Sequence, residues 1–456
     1  MNGANKCRPL CIRLLAYEIL FQLAAFQAAR AATLEWSRQF GTTASDLGLA
    51  ISADRLGNIF IVGRTQGSHG SANADGDDVF VAKFDAAGQM QWKTQFGTVR
   101  GEMPYGISAD GLGNAYVTGV VYLSGSANPY VPPDHAFISK IGAAGNIEWS
   151  RDFPKDYITE ARGVSADGLG NVYVSGHSPD SPGILARDID AFLTKFDILG
   201  NEIWTRKFGS TAFDSAFAVS ADRRGNVFVT GLGGIAGPDN TTTGLAAFIG
   251  KFDGNGTQHW LQRFGSDYIE QGLAVSADGK GNAYVAGASG GRLEPIVKPT
   301  ITSLTKFDEA GSLQWFRTLD AGYNSAADDS SRIGKTMGVA ADPNGFVYFS
   351  GYTPTYDMYL TKYDELGNKI WTQIVGTASQ DASPGVSTDG AGNVYITGYT
   401  AGSFAGPNAG STDVVLVKFA DAAVPEPTLL QSLLLTSMAC FFRRPHVAPN
   451  SNSGYK

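Results

Sequence analysis

Five carboxylates recur at one spacing. Asp46, Glu102, Asp214, Glu270 and Asp381 each stand eight residues before a second aspartate: Asp54, Asp110, Asp222, Asp278 and Asp389. Acidic side chains repeated at equal intervals can converge into a ring of oxygens that holds Ca2+ or another cation. Capping of loops and pairing with lysines are the competing uses of the same residues. The second aspartate is a poor calcium ligand. A calcium loop needs acidic oxygens at alternate positions and a distant glutamate. Here one aspartate precedes a Gly-x-Gly-Asn, as in Asp167 to Asn171, and reads as a turn cap. Three histidines, His69, His135 and His177, occupy comparable places in successive stretches of chain. Acid–base catalysis by histidine also needs an orienting partner and a nucleophile or metal, and no spacing supplies one. The chain has no glycine-rich phosphate loop, no His-Glu-x-x-His and no nucleophile elbow. The expectation is a protein without catalytic residues and without a required cofactor.

These residues sit in a repeat. The seven tryptophans are Trp36, Trp92, Trp149, Trp204, Trp260, Trp315 and Trp371. Their near-constant separation of about 56 residues leaves room for four strands and their loops in each unit. Segment A of each unit is built from small residues and ends at the aspartate. A Gly-Asn turn follows, as at Gly170-Asn171, where glycine supplies the positive φ of a hairpin. Segment B is β-branched and aromatic, as in Val172-Tyr173-Val174. Segment C carries one lysine: Lys83, Lys140, Lys195, Lys251, Lys306, Lys362 or Lys418. Segment D holds the tryptophan.

Side-chain volume thus rises from A to D. That suits sheets that converge on an axis and diverge outward, with A innermost. The first recognisable segment, Leu34 to Phe40, is a D, and the last, Val414 to Phe419, is a C. An N-terminal strand can therefore complete the last blade and remove the open edges. The predicted fold is all-β, a seven-bladed β-propeller of four-stranded antiparallel blades closed by that strand.

The sixth unit breaks the pattern. From tryptophan to the segment-A aspartate it spans Trp315 to Asp342, longer than elsewhere, and from Gly351 to Lys362 it is shorter. Both changes fall on the face that carries the D-to-A and B-to-C loops, where a rigid scaffold usually places function. The long loop offers Asp320, Tyr323, Asp328, Asp329, Arg332 and Lys335 as a binding set for polar groups or a cation.

The formal net charge of -8 argues against nucleic acid as the partner. Cys7, Cys11 and Cys440 all lie in the terminal segments, so the repeats hold no disulfide and no thiolate site. Residues 1–31 read as a signal peptide: Lys6, Arg8 and Arg13, an apolar stretch from Leu14 to Ala29, and Ala29-Arg30-Ala31 as the cleavage site for signal peptidase. The propeller is expected over 32–422. After it come Val424-Pro425-Glu426-Pro427, an apolar run from Thr428 to Phe442, and Arg443-Arg444.

The last of these features resembles the PEP-CTERM sorting signal of Gram-negative bacteria. The resemblance implies a sorting and membrane segment over 423–444, transient membrane anchoring, processing by an exosortase-like enzyme, and a disordered tail over 445–456. The repeat Ser-Ala-Asp-Gly-x-Gly-Asn-x-Tyr-Val-x-Gly, as in Ser165 to Gly176, resembles the SBBP family, named for the seven-bladed β-propeller. That family supplies no catalytic motif.

The expectation is a monomeric, exported, non-catalytic binding or scaffold protein of the cell envelope, cell surface or extracellular matrix. Its ligand, an exopolysaccharide or an envelope protein, would lie on the D–A/B–C loop face. The alternatives are a propeller-type polysaccharide lyase or hydrolase using loop-face His and Asp residues, and a purely structural matrix component.

Overall fold

The computed structural model describes residues 32–420, apart from 75, 123–132, 154–158, 180–188, 211–212, 237–241, 266–269, 290–291, 294–295, 298–300, 319–337 and 354. Both terminal segments expected to act as signals, and the long-loop set Asp320, Tyr323, Asp328, Asp329, Arg332 and Lys335, lie outside the described residues.

The chain forms seven four-stranded antiparallel sheets. Taken as strands A to D, blade 1 is Asp46–Ala53, Ile59–Thr65, Asp78–Phe84 and Met90–Phe96. Blade 2 is Glu102–Ala109, Ala115–Tyr122, Pro133–Ile141 and Ile147–Phe153. Blade 3 is Glu160–Ala166, Asn171–Pro179, Ile189–Asp197 and Glu202–Phe208. Blade 4 is Asp214–Ala221, Asn226–Ala236, Thr242–Asp253 and Gln258–Phe264. Blade 5 is Glu270–Ala277, Ala283–Ser289, Ile301–Phe307 and Leu313–Thr318, with a small hairpin of Arg292–Leu293 and Ile296–Val297 between its B and C strands. Blade 6 is Gly338–Ala341, Val347–Tyr352, Met358–Tyr363 and Lys369–Val375.

Blade 7 takes its A, B and C strands from Asp381–Thr388, Asn393–Thr400 and Asp413–Ala420, and its D strand from Thr33–Phe40 at the other end of the chain. The seam runs antiparallel from Thr33 opposite Ala420 to Phe40 opposite Val414. Each A strand packs on the A strands of both neighbouring blades around the whole circle, so the ring is closed. The seven-bladed architecture and its N-terminal closure are those expected from the order of segments.

The core lies between blades. Phe60, Val62 and Val81 of blade 1 pack with Ile107, Val117 and Phe137 of blade 2, and the contact recurs from blade to blade. The aromatic of each B strand is fully buried, including Tyr116, Tyr173, Phe228, Tyr284, Tyr348 and Tyr395. Burying each stabilises the ring by roughly 2–3 kcal/mol.

The repeat residues clasp one blade to the next. Trp149 Nε1 donates to Ile198 O of blade 3 at 3.0 Å, and Trp92 Nε1 donates to Ala143 O of blade 2 at 2.8 Å. Gly200, with φ +78, lies flat on the Trp149 ring, where any Cβ would meet the indole. The segment-C lysines pass over the B-strand aromatic of their own blade, as Lys83 does over Phe60 at 5.2 Å. Several then donate to a carbonyl of the next blade, as Lys195 does to Gly254 O at 2.9 Å. The conspicuous Trp, Lys and Gly positions are therefore structural.

The repeated Asp-Gly-x-Gly-Asn is a turn cap, as expected. Asp54 Oδ1 accepts Leu56 N and Asn58 N at 2.9 and 2.8 Å, and Asn58 Nδ2 donates to Asp54 Oδ2 at 2.7 Å. In the short B–C link of blade 6, Thr353 N donates to Asp357 O at 2.8 Å and Tyr356 N to Thr353 O at 2.9 Å, and Tyr356 holds φ 61.

Candidate functional site

The innermost strands carry one irregularity that matters for chemistry. Six of them shift register by one residue in mid-strand, between Gly48 and Ala50, Pro104 and Gly106, Ala161 and Gly163, Ala216 and Ala218, Gly272 and Ala274, and Ala382 and Gly385. A bulge leaves the extra residue out of the ladder and re-aims its side chain. In blades 1 to 5 the extra residues are Leu49, Tyr105, Arg162, Phe217 and Leu273. Four are apolar or aromatic, and one is an arginine.

Arg162 lies between two rings from the adjacent blades. Its guanidinium carbon is 4.9 Å from the Tyr105 ring and 5.3 Å from the Phe217 ring. Its Nη2 pairs with Glu160 Oε2 at 2.5 Å, and its side chain keeps 30% of its surface exposed. Tyr105 Oη is 3.4 Å from Tyr122 Oη. His177 Nε2 lies 3.9 Å from Glu160 Oε1, and its Nδ1 is 2.8 Å from Ser215 Oγ. Burial alone would raise the Glu160 carboxyl, but Arg162 and His177 outweigh it and hold the group below the usual range. Burial lowers His177 to about 4, against the pull of Glu160, so the imidazole is neutral. Burial raises both tyrosines, Tyr105 well above its ordinary value. The cluster is thus a fixed cation in an aromatic sleeve near the loop-face end of the channel, with neutral phenols beside it. Ser215 has no exposed surface, so the Ser215–His177–Glu160 chain presents no reachable nucleophile. Sequence reasoning missed Arg162. The available signal was a lone charge at a repeat position that is otherwise apolar.

A second feature is a cleft of about 360 Å³ between blades 1 and 2. Phe96, Val121 and Phe137 give it apolar walls, and Arg100, Glu102, His135 and Asp152 give it charge. His135 Nδ1 is 3.1 Å from Asp134 Oδ2 and its Nε2 is 3.7 Å from Asp152 Oδ1, while Arg100 pairs with Asp134. Burial raises the Glu102 carboxyl to about 7. Hydrogen bonds from Thr98 oppose the rise, and the neighbouring charge of Asp78 adds to it.

The repeated carboxylates each begin an innermost strand, and each is buried. Four of them cap the preceding D–A loop through a Thr or Ser four residues earlier. The backbone N and hydroxyl of Thr42 donate to Asp46 Oδ2 at 2.5 and 2.8 Å. Thr98 does the same to Glu102 Oε1 at 3.0 and 2.5 Å, Ser210 to Asp214 Oδ2 at 2.6 and 2.8 Å, and Thr377 to Asp381 Oδ2 at 2.6 and 2.9 Å. Glu270 is buried at the matching place in blade 5. Among the described residues, no three His, Cys, Asp or Glu side chains converge on a metal position. The three histidines stand in three separate settings: His69 against Asp46, His135 in the cleft, and His177 beside Ser215.

The SBBP β-propeller repeat matches the chain at residues 35–70, 91–120 and 370–405. The regulatory protein FlaEY of Caulobacter vibrioides is 29% identical over 183 residues, covering 36% of this chain and 19% of that protein. An uncharacterized WD repeat-containing protein, L264, of Acanthamoeba polyphaga mimivirus is 20% identical over 458 residues, covering 81% of this chain and 31% of that protein. The chain therefore spans less than a third of the length of either relative. Among solved structures, a PL25 ulvan lyase bound to a GlcA–Rha3S oligosaccharide is 12% identical with a TM-score of 0.48, over 83% of this chain and 95% of that one. The β-propeller domain of the Trilobed protease from Pyrococcus furiosus is 11% identical with a TM-score of 0.40, over 77% and 91%. Neither likeness bears on chemistry. Three independent repeat matches on a closed ring of four-stranded blades make the chain a seven-bladed β-propeller that carries SBBP repeats.

Proposed function

We propose that this propeller is an exported, non-catalytic binding or scaffold module of the bacterial envelope or extracellular matrix, and that its ligand seats on the D–A/B–C face at the channel mouth. The observation that carries this reading is Arg162, held between Tyr105 and Phe217 with 30% of its side chain exposed. A cation fixed by its neighbours and walled by rings recognises rather than reacts. An exopolysaccharide suits it: sugar faces stack on the aromatic rings, and hydroxyl or carboxylate oxygens meet the guanidinium. Ser215 has no exposed surface, which supports binding over chemistry.

The test is a glycan array probed with the intact protein and with Arg162→Ala. Retention of a polysaccharide by the wild type and its loss in the variant is the expected result. Equal retention by both would remove the channel mouth from the account. A reporter fused after Asp421 should be active outside the cytoplasm, and activity only inside would overturn the export reading.

A second reading, a lyase or hydrolase, has one specific observation in its favour: Glu102, raised to about 7, lines the same cleft as His135. A carboxyl that titrates near neutral pH can act as acid or base. Release of new reducing ends from a bound polysaccharide, abolished in Glu102→Gln, would favour it.

A further inference from the structure

We propose that Lys93 is a reactive amine, part of an Asp46–His69–Lys93 relay at the loop-face rim of blade 1, and that it captures carbonyl compounds, aldehydes above all. Lys93 Nζ lies 2.8 Å from His69 Nδ1, and His69 Nε2 lies 2.8 Å from Asp46 Oδ1. The lysine donates to Nδ1, so the imidazole carries its hydrogen on Nε2 and donates it to the carboxylate. The imidazole is fixed on every side. Its backbone N donates to Gln95 Oε1 at 2.6 Å, and its ring packs on Phe80 and Phe40. Asp46 is fixed in turn by Thr42 and by Thr65 Oγ1 at 2.5 Å. Lys93 is half-buried.

This setting differs from those of the other fixed lysines. Lys140 and Lys418 face the carboxylates of Glu148 and Glu35 at 2.8 and 2.6 Å. Lys93 instead meets an imidazole nitrogen, His69 Nδ1. The charged groups around it are Asp46 from strand A of blade 1, behind the imidazole, and Asp78 from strand C, which accepts Gln95 Nε2 at 2.7 Å. Strand D of blade 7 contributes Phe40 to this contact. Burial lowers the Lys93 amine, and Asp46 opposes the shift without cancelling it.

The chemistry balances with water as the only by-product. The ammonium passes a proton to His69 Nδ1, and Asp46 stabilises the imidazolium. The freed lone pair attacks the carbonyl carbon, and a carbinolamine forms. Its hydroxyl leaves as water on taking a proton back from His69, and a protonated imine of Lys93 remains. A carbonyl on a loop-face ligand, such as the reducing end of a glycan, has the required group. The inference does not depend on the channel-mouth reading.

The experiment treats the intact protein with limiting glycolaldehyde and cyanoborohydride across neutral to alkaline pH, and maps the trapped lysines by mass spectrometry. At neutral pH, Lys93 should be trapped about tenfold faster than the exposed Lys280 and Lys369, as expected for a desolvated amine beside a base. Its trapping should also reach its plateau at a lower pH than theirs. Equal rates and equal pH profiles overturn the proposal. His69→Gln, checked for a retained fold by circular dichroism, should bring Lys93 to the rate of Lys280. An unchanged rate in that variant refutes the relay. Lys93→Arg, which keeps the charge, should abolish the fast phase of trapping, and a fast phase that persists overturns the assignment.

Discussion

Glu102 and Asp78 face one another across Gly97: a Cβ at that glycine would overlap Asp78 Oδ1 and stand 2.9 Å from Glu102 Oε2. Both oxygens are buried and accept no hydrogen bond. The arrangement favours a proton on Glu102, whose carboxyl rises to about 7 from an ordinary 4.5. The folded state therefore holds this proton more tightly than the unfolded chain. The resulting stability is complete below pH 4.5, is lost as pH rises to about 7, and is constant beyond. The upper bound is about 3 kcal/mol. Glu102→Gln keeps the acceptor for Thr98 and gives Asp78 a donor, so its Tm at alkaline pH should exceed that of the wild type by several degrees. An unchanged Tm in differential scanning calorimetry would refute the shared proton.

His177 works in the opposite sense. Its folded value of about 4 lies below the ordinary 6.5, so the unfolded chain takes a proton first. The stability it contributes is present above pH 6.5 and lost as pH falls toward 4. Between about pH 4.5 and 6.5 the two groups oppose each other, and the wild-type stability curve should be nearly flat there. Glu102→Gln should then reveal a loss of stability on acidification, and His177→Gln a gain. Parallel curves for all three proteins in urea titrations would exclude both assignments.

The seam predicts a strong dependence on the N-terminal strand. Removing residues 32–41 deletes the partner of Asp413–Ala420. It also deletes Trp36 and Arg38, which donate to Ala86 O, Gly88 O and Ala87 O of blade 1. The truncated protein should unfold at a much lower temperature, and a peptide of residues 32–41 added in trans should restore part of the difference. Identical melting of the two proteins would show that closure contributes nothing.

Gly200→Ala tests the blade-to-blade clasp. The position has φ +78, and the added carbon would stand 2.8 to 2.9 Å from the Trp149 ring. The left-handed backbone and the displaced indole together should cost roughly 2–4 kcal/mol. A chemical-denaturation midpoint equal to that of the wild type would show that the ring gives way without cost.

Much of the fold was readable from residue order, because each repeat device is local or periodic. Asp54 and Asn58 close their turn within five residues, and the tryptophan interval sets blade size. What the five carboxylates do depends on residues four positions away. The Gly-Thr or Gly-Ser pairs at 41–42, 97–98, 209–210 and 376–377 were the sign that Asp46, Glu102, Asp214 and Asp381 cap loops. The Arg162 sleeve was not legible in this way, because its walls come from Tyr105 and Phe217, each more than fifty residues distant. The relay at Lys93 likewise needed two strands and a loop brought together before Asp46, His69 and Lys93 could be seen as one chain.

The seam also has a mechanical consequence. Thr33 and Ala420 are paired neighbours at the same end of their ladder. A pull that separates the two chain ends therefore loads the rungs one after another, beginning at Thr33, as in opening a zip fastener. The six remaining blades bear no load until that strand has peeled. Under tension between its ends, the protein fails first and at low force along its own seam. A load carried by one terminus alone leaves that seam shut.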